Sequence, residues 1–225
     1  MKKLLKQAFL ATLPVMTGYL VLGFGFGIIM HSTGYSVLMA FCMSLFIYAG
    51  SMQYVAIDLF SGAASLITVA VTTLMVNARH LFYGISMLEK YKNTGAKKPY
   101  LIYALTDETY SLLCADIPGI SESEKSRYYF IVTLMNHAYW VLGSVLGALA
   151  GAILPFSTEG IDFALTALFV TVFTDQWMTN KDHVAALIGL GASALCLILF
   201  GSENFLLPAM LVIALCLGMK KEKTP

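Results

Sequence analysis

Charge is what this chain has least of. Only 12% of its residues are Asp, Glu, Lys or Arg, about half the share usual in soluble domains. None of the four lies between Lys6 and Asp58, a stretch long enough for about two bilayer crossings at roughly 20 residues each. With 58% hydrophobic residues and a mean hydropathy of +0.76, a soluble globular domain is excluded. A net charge of +1 gives no case for binding nucleic acid. The four cysteines, Cys42, Cys114, Cys196 and Cys216, stand singly in apolar stretches without a C-x-x-C. They read as small hydrophobes in helices, not as ligands or disulfide partners. A P-loop, an H-E-x-x-H and a serine–histidine motif of recognisable spacing are all missing. ATP hydrolysis and known intramembrane protease chemistry therefore have no support, and no enzyme, metal or cofactor is expected.

What is present is a succession of hydrophobic segments: Ala8–Met30, Ser36–Phe60, Ala63–Leu88, Tyr100–Ile117, Tyr128–Leu154, Ile161–Phe173, His183–Phe200 and Phe205–Met219. The lysines at 2, 3 and 6 resemble the start of a signal peptide. Hydrophobicity continues to Met30 without an A-x-A-like site, however, so an uncleaved first helix is expected. Two polar connections stand out. One is Glu89–Pro99, with Lys90, Lys92, Lys97 and Lys98; the other is Pro118–Arg127. Within the second, Ser121-Glu122-Ser123-Glu124 is a capping-box pattern, opening a long helix towards Leu154 that Pro155 ends. The fold class is an all-α polytopic membrane protein, one integral membrane domain over 1–225, with about seven or eight transmembrane segments. Lysines at both termini favour a cytoplasmic location for both and hence eight crossings, which puts the Glu89–Pro99 lysines outside, against the positive-inside tendency. If Tyr100–Ile117 re-enters, seven crossings result.

Several segments look interrupted. Pro14 breaks the first, and the polar stretch Tyr48–Tyr54 breaks the second, while Ile161–Phe173 and Phe205–Met219 are short. Free backbone groups at membrane depth are tolerated where they line a cavity or are covered by protein, and transporters use such helix ends to hold a carboxylate or an ion. Gly23-x-x-x-Gly27 and Gly143-x-x-x-Gly147-x-x-x-Gly151 leave two readings open: packing faces, or an internal repeat, a duplicated transporter half.

Asn77-Ala78-Arg79-His80 sits inside the third segment. A guanidinium near mid-bilayer costs roughly 3 to more than 10 kcal/mol, so it must face water, a carboxylate or a substrate unless it marks the interface and snorkels. On a helix Asn77, His80 and Gly84 share one face and Arg79 stacks over Tyr83. Thr106-Asp107-Glu108-Thr109 is either the middle of a membrane helix or a polar link between two half-helices. In the first case one carboxylate faces Arg79 while the other titrates. The candidate substrate-binding residues are Arg79, Asn77, Tyr48, Ser51 and Gln53, and the candidate coupling residues are Asp107, Glu108, His80 and His137. Asp58 and Asn136 are weaker candidates. Asp162 and Asp175-Gln176-Trp177 read as boundary residues, with the tryptophan at the lipid interface.

Five strings carry a family resemblance: Gly23-Phe24-Gly25-Phe26-Gly27, Tyr48-Ala49-Gly50-Ser51-x-Gln53, Asn77-Ala78-Arg79-His80-Leu81-x-Tyr83-Gly84, Thr106-Asp107-Glu108-Thr109 and Asp162–Phe169. Through them the chain resembles the larger subunit of the AzlC-type branched-chain amino acid exporters of bacteria. Met52 departs from the small residue expected in the second string. The resemblance implies export of leucine, isoleucine, valine and analogues across the bacterial cytoplasmic membrane, together with a small AzlD-type membrane subunit. A secondary transporter driven by an ion gradient is the expected function, and a non-transporting membrane scaffold subunit is the alternative.

Overall fold

The computed structural model describes residues 2–114, 117, 119–153, 163, 166, 167, 170, 173, 174, 177, 178 and 182–219. Pro155, Asp162, Asp175, Gln176 and most of Ile161–Phe173 lie outside the described residues. Among the described residues all regular structure is helical. The chain divides into two compact units, Met1–Leu165 and Thr166–Pro225. The first holds α1 (Lys2–Ser32), α2 (Val37–Phe46), α3 (Gly50–Ser61), α4 (Leu66–Asn77), α5 (Arg79–Met87), a 3-10 turn (Gly95–Lys97), α6 (Lys98–Tyr103), α7 (Asp107–Cys114) and α8 (Glu122–Ile153).

The frame of this unit is α1 against α8. A Cβ added at Gly27 would stand 2.1 Å from the Ser144 carbonyl oxygen, and one at Gly147 would stand 2.0 Å from that of Phe24. The two backbones touch, and only hydrogen fits between them. Gly23 meets Gly143 and Ser144, and Gly151 meets His31, so contacts advance in the same order along both helices, which therefore run parallel. The glycine strings of the two halves pack on each other, as small residues four apart allow. Pro14 does not break the first segment: α1 runs on through it to Ser32. The proline removes only the hydrogen bond to the carbonyl four residues back, that of Leu10, a loss membrane helices tolerate, and the Thr17 hydroxyl separately donates to the Pro14 carbonyl at 2.8 Å. Ser121 precedes α8 as the capping pattern predicts. Its hydroxyl donates to the Glu124 carboxylate at 2.7 Å instead of accepting from the Glu124 N–H, a side-chain variant of the box.

The second and fourth hydrophobic segments are helical hairpins, each broken at its tip. Tyr35, ahead of α2, packs its ring on Phe60 near the end of α3, with centroids 6.2 Å apart. The α2–α3 hairpin thus opens at the end of the frame that carries Ser32. Its tip reaches the middle, where Gly50 abuts the Trp140 ring of α8. The α6–α7 hairpin opens at the other end. Lys90 donates to the last carbonyls of α7, 3.1 Å from Leu113 and 2.5 Å from Cys114, and Tyr91 lies against Tyr129 of α8. The tips meet where the Tyr103 hydroxyl donates to the Leu45 carbonyl at 2.6 Å.

The third segment is the bent pair α4–α5, turned by 46° at Ala78. Two apolar clusters flank the tips. One contains Phe26, Met30, Met43, Met52 and Trp140, the other Leu4, Ala8, Met87, Leu101, Leu113 and Val132. Between them α1 and α8 carry buried Thr12, Thr133, Asn136 and His137.

In the second unit α9 (Val184–Asn204) packs on α10 (Leu206–Met219). The Val184 N–H donates to the Asp182 carboxylate at 2.9 Å, and Trp177 stacks on His183 with centroids 4.1 Å apart. Leu187, Leu190 and Ile198 of α9 are exposed, as a lipid-facing surface requires. Among the described residues α1, α8 and Val184–Gly201 are long and apolar enough to cross a membrane alone, and α4–α5 makes a fourth if the bent pair is one span.

Candidate functional site

The site lies where three helix breaks converge. The first is at Ile47–Ala49. Tyr48 takes φ +44°, a left-handed conformation that costs an L-residue about 1–2 kcal/mol. The stack of its ring on His137, with centroids 4.1 Å apart, holds it there. Ala49 supplies no side-chain cap, so the first N–H groups of α3, which have no intrahelical acceptor, keep their partial positive charge.

The second break is at Ala78. Just past it, Arg79 donates to the Ser51 hydroxyl in the first turn of α3 at 2.7 Å and forms an ion pair with Asp107. The third is at Ala104–Thr106. The Thr106 hydroxyl accepts the Thr109 N–H at 3.3 Å and so caps α7, placing Asp107 and Glu108 in its first turn, where the helix dipole favours carboxylates. The link between α6 and α7 is thus Ala104–Thr106, and Asp107–Thr109 already belong to the second helix.

The two adjacent carboxylates take different partners. Asp107 holds Arg79, while Glu108 accepts from the Tyr19 hydroxyl at 2.6 Å, with Thr106 also 2.7 Å from that hydroxyl. From there a buried chain runs through Thr109 to Asn136, whose amide donates to the Thr109 hydroxyl at 3.0 Å. The Arg79–Asp107 pair is part open, its side chains exposed by 33% and 29%. Arg79 Nε and Asp107 Oδ1 are nevertheless buried without a partner.

Other candidates lie elsewhere. Gln53 turns away from Arg79: it accepts from Trp140 Nε1 at 2.9 Å and donates to Ser44 at 3.2 Å. His137 sits between the Tyr100 hydroxyl at 3.0 Å and the Ser44 carbonyl at 3.3 Å. Asn77, His80 and Gly84 do share a face, and with Thr73, Leu81 and Ile102 they line a groove of about 320 Å³ that does not include Arg79. The Asn-Ala-Arg-His string therefore serves two sides of one helix pair. Tyr83 stacks on Tyr110, with His80 at its edge, and also stands beside Asp107 and Arg79. Asp58 is exposed near the end of α3.

Sequence reasoning missed Tyr19 and Ser44. A signal for Tyr19 was available: it precedes Gly23 and Gly27 at four-residue spacing and so shares the face of α1 that meets α8. Ser44 had none.

A family model described as AzlC protein matches residues 14–154. The branched-chain amino acid transport protein AzlC of Bacillus subtilis (strain 168) is 49% identical over 209 residues, 92% of this chain and 82% of that protein. A membrane protein of Helicobacter pylori (strain J99) is 43% identical over 217 residues, 96% of this chain and 94% of its own. Inner membrane protein YgaZ of Escherichia coli (strain K12) is 27% identical over 186 residues, 79% and 76% of the two chains. No solved structure matches. The chain belongs to the AzlC family and is a membrane protein with a transport role.

Proposed function

We propose that this chain is the larger subunit of a secondary transporter that exports leucine, isoleucine, valine and analogues across the bacterial cytoplasmic membrane. It would be driven by an ion gradient and work with a small AzlD-type subunit. The observation that carries the reading is the meeting of Arg79, Ser51 and the uncapped start of α3 at the tips of two broken hairpins. A guanidinium beside free helix N–H groups is an anion site, and a substrate carboxylate is the anion it would hold. The name of the Bacillus relative supports the substrate class; the small subunit rests on the family resemblance.

The hairpins open at opposite ends of the α1–α8 frame. In our reading both re-enter the membrane, so that two of the eight hydrophobic segments turn back while α4–α5 crosses between them. A bent crossing held by two hairpins can be released towards either side in turn, as alternating access requires. Glu108, engaged by Tyr19 and not by Arg79, is the group we assign to the coupling proton, since an intramembrane carboxylate of this kind is a usual relay element.

Counterflow of labelled leucine in proteoliposomes, with and without the small subunit, tests this reading. Leucine exchange that responds to an imposed proton gradient is expected. An intact complex without flux would sink the transport reading and leave the scaffold alternative. On that alternative, Arg79→Ala would disperse the complex without having any flux to abolish.

A further inference from the structure

Resting on the reading that the chain carries amino acids, we propose that Asp107 receives the substrate's ammonium group, and that the substrate inserts into the Arg79–Asp107 ion pair. An α-amino acid is a zwitterion, and a site for it needs an anion receptor and a cation receptor a few ångströms apart. Here both are already in contact, on two different elements: Arg79 opens α5 and Asp107 opens α7. Neither is fully satisfied by the other. Arg79 Nε and Asp107 Oδ1 remain buried and unpartnered, which is costly for charged groups. The pair is nonetheless a third open, so a small ligand has a side from which to reach it.

A zwitterion inserted between the two replaces one ion pair with two. Its carboxylate takes Arg79 together with the Ser51 hydroxyl and the first N–H groups of α3, and its ammonium takes Asp107. Charge is balanced before and after, so neither the empty nor the loaded site leaves an ion uncompensated in a medium where that is prohibitive. A molecule with only one of the two charges opens the pair and neutralises half of it. Glu108 plays no part in this exchange, because Tyr19 and Thr106 hold its carboxylate and its neighbourhood separately. The hairpin that brings Asp107 is distinct from the one that brings Ser51, so the ligand ties the two tips together.

The test is competition against labelled leucine exchange in proteoliposomes containing the full chain with its small subunit. The competitors are leucine, 4-methyl-2-oxopentanoate, which lacks the ammonium, and 3-methylbutylamine, which lacks the carboxylate. Both analogues should compete at least about 30-fold more weakly than leucine, the scale set by leaving one member of a buried charge pair unmatched. In Asp107→Asn leucine should fall to the level of the keto acid, while Asp107→Glu should keep the preference. Should Asp107→Asn fail to assemble, Arg79→Gln with Asp107→Asn removes both charges together; it should assemble, and in thermal unfolding of the complex leucine should stabilise it no more than the keto acid does. A keto acid that competes as well as leucine in the unaltered protein overturns the proposal. So does a preference that survives in Asp107→Asn or in the double variant. Absence of leucine exchange in the unaltered protein would instead overturn the transport reading on which this rests.

Discussion

The α1–α8 crossing and the meeting of the hairpin tips are neighbours along the same two helices, yet they are held together in opposite ways. At Gly27 and Gly147 backbone lies on backbone, and nothing can be exchanged without parting the helices. At Arg79, Ser51, Asp107 and Tyr19 the contacts are side-chain pairs, each of which has a chemical substitute in a ligand or a proton. A carrier needs both kinds of contact: a frame without alternatives, and a centre whose partners can be replaced without loss of charge balance.

The largest effect should come from the frame. Gly27→Leu or Gly147→Leu should cost about 3 kcal/mol or more by overpacking, read as loss of a monodisperse detergent-solubilised peak. Gly23→Ala and Gly143→Ala, where the added Cβ meets backbone at 3.0 and 2.9 Å, should be milder. Equal tolerance at all four positions would dissolve the distinction between frame and centre. Next comes Arg79→Gln, which should abolish leucine counterflow while the protein still assembles. Its stability loss should be about 1–3 kcal/mol, below that of a fully buried pair because both side chains are part exposed.

A topological prediction follows in strength. In a cysteine-free background, cysteines placed at Asn93 and Ser123 should react with an impermeant maleimide from one side, and one at Gly34 from the other. A different partition would remove the re-entrant hairpins. Tyr19→Phe should cost about 1 kcal/mol, the scale of one hydrogen bond. It should lower gradient-driven flux more than counterflow, because only the former needs Glu108 to exchange its proton. The smallest effect belongs to Gly84→Ala. That glycine faces open space, and the change should stay within about 0.5 kcal/mol.

Much of this division was legible in the residues. The glycine strings offered close helix packing as one of two readings, Thr106-Asp107-Glu108-Thr109 stood as either mid-helix or a polar link, and Arg79 called for water, a carboxylate or a substrate unless it lay at the interface. Pro14 misled, because α1 runs on through it to Ser32: a proline removes a single N–H, a loss that a membrane helix tolerates and that a break signal does not weigh. Gln53 and Ser51 could not both face Arg79, since two residues on a helix turn through about 200°. One therefore faces Arg79 and the other Trp140. The spacing of Tyr19 with Gly23 and Gly27 placed it on the α8-facing side of α1, but that its hydroxyl reaches Glu108 is a contact only the tertiary structure supplies.

The sequence by itself determined that this chain lives in a membrane and that a charge placed within it must meet water, a partner or the interface, because composition and the cost of burying a charge leave no other outcome. Only the tertiary structure decided which carboxylate answers Arg79, that the second and fourth hydrophobic segments fold back from opposite ends, and that Asn77 and His80 face away from their neighbour Arg79. Those outcomes depend on contacts between residues far apart in the chain, and helical periodicity says which side a residue faces but not what stands opposite.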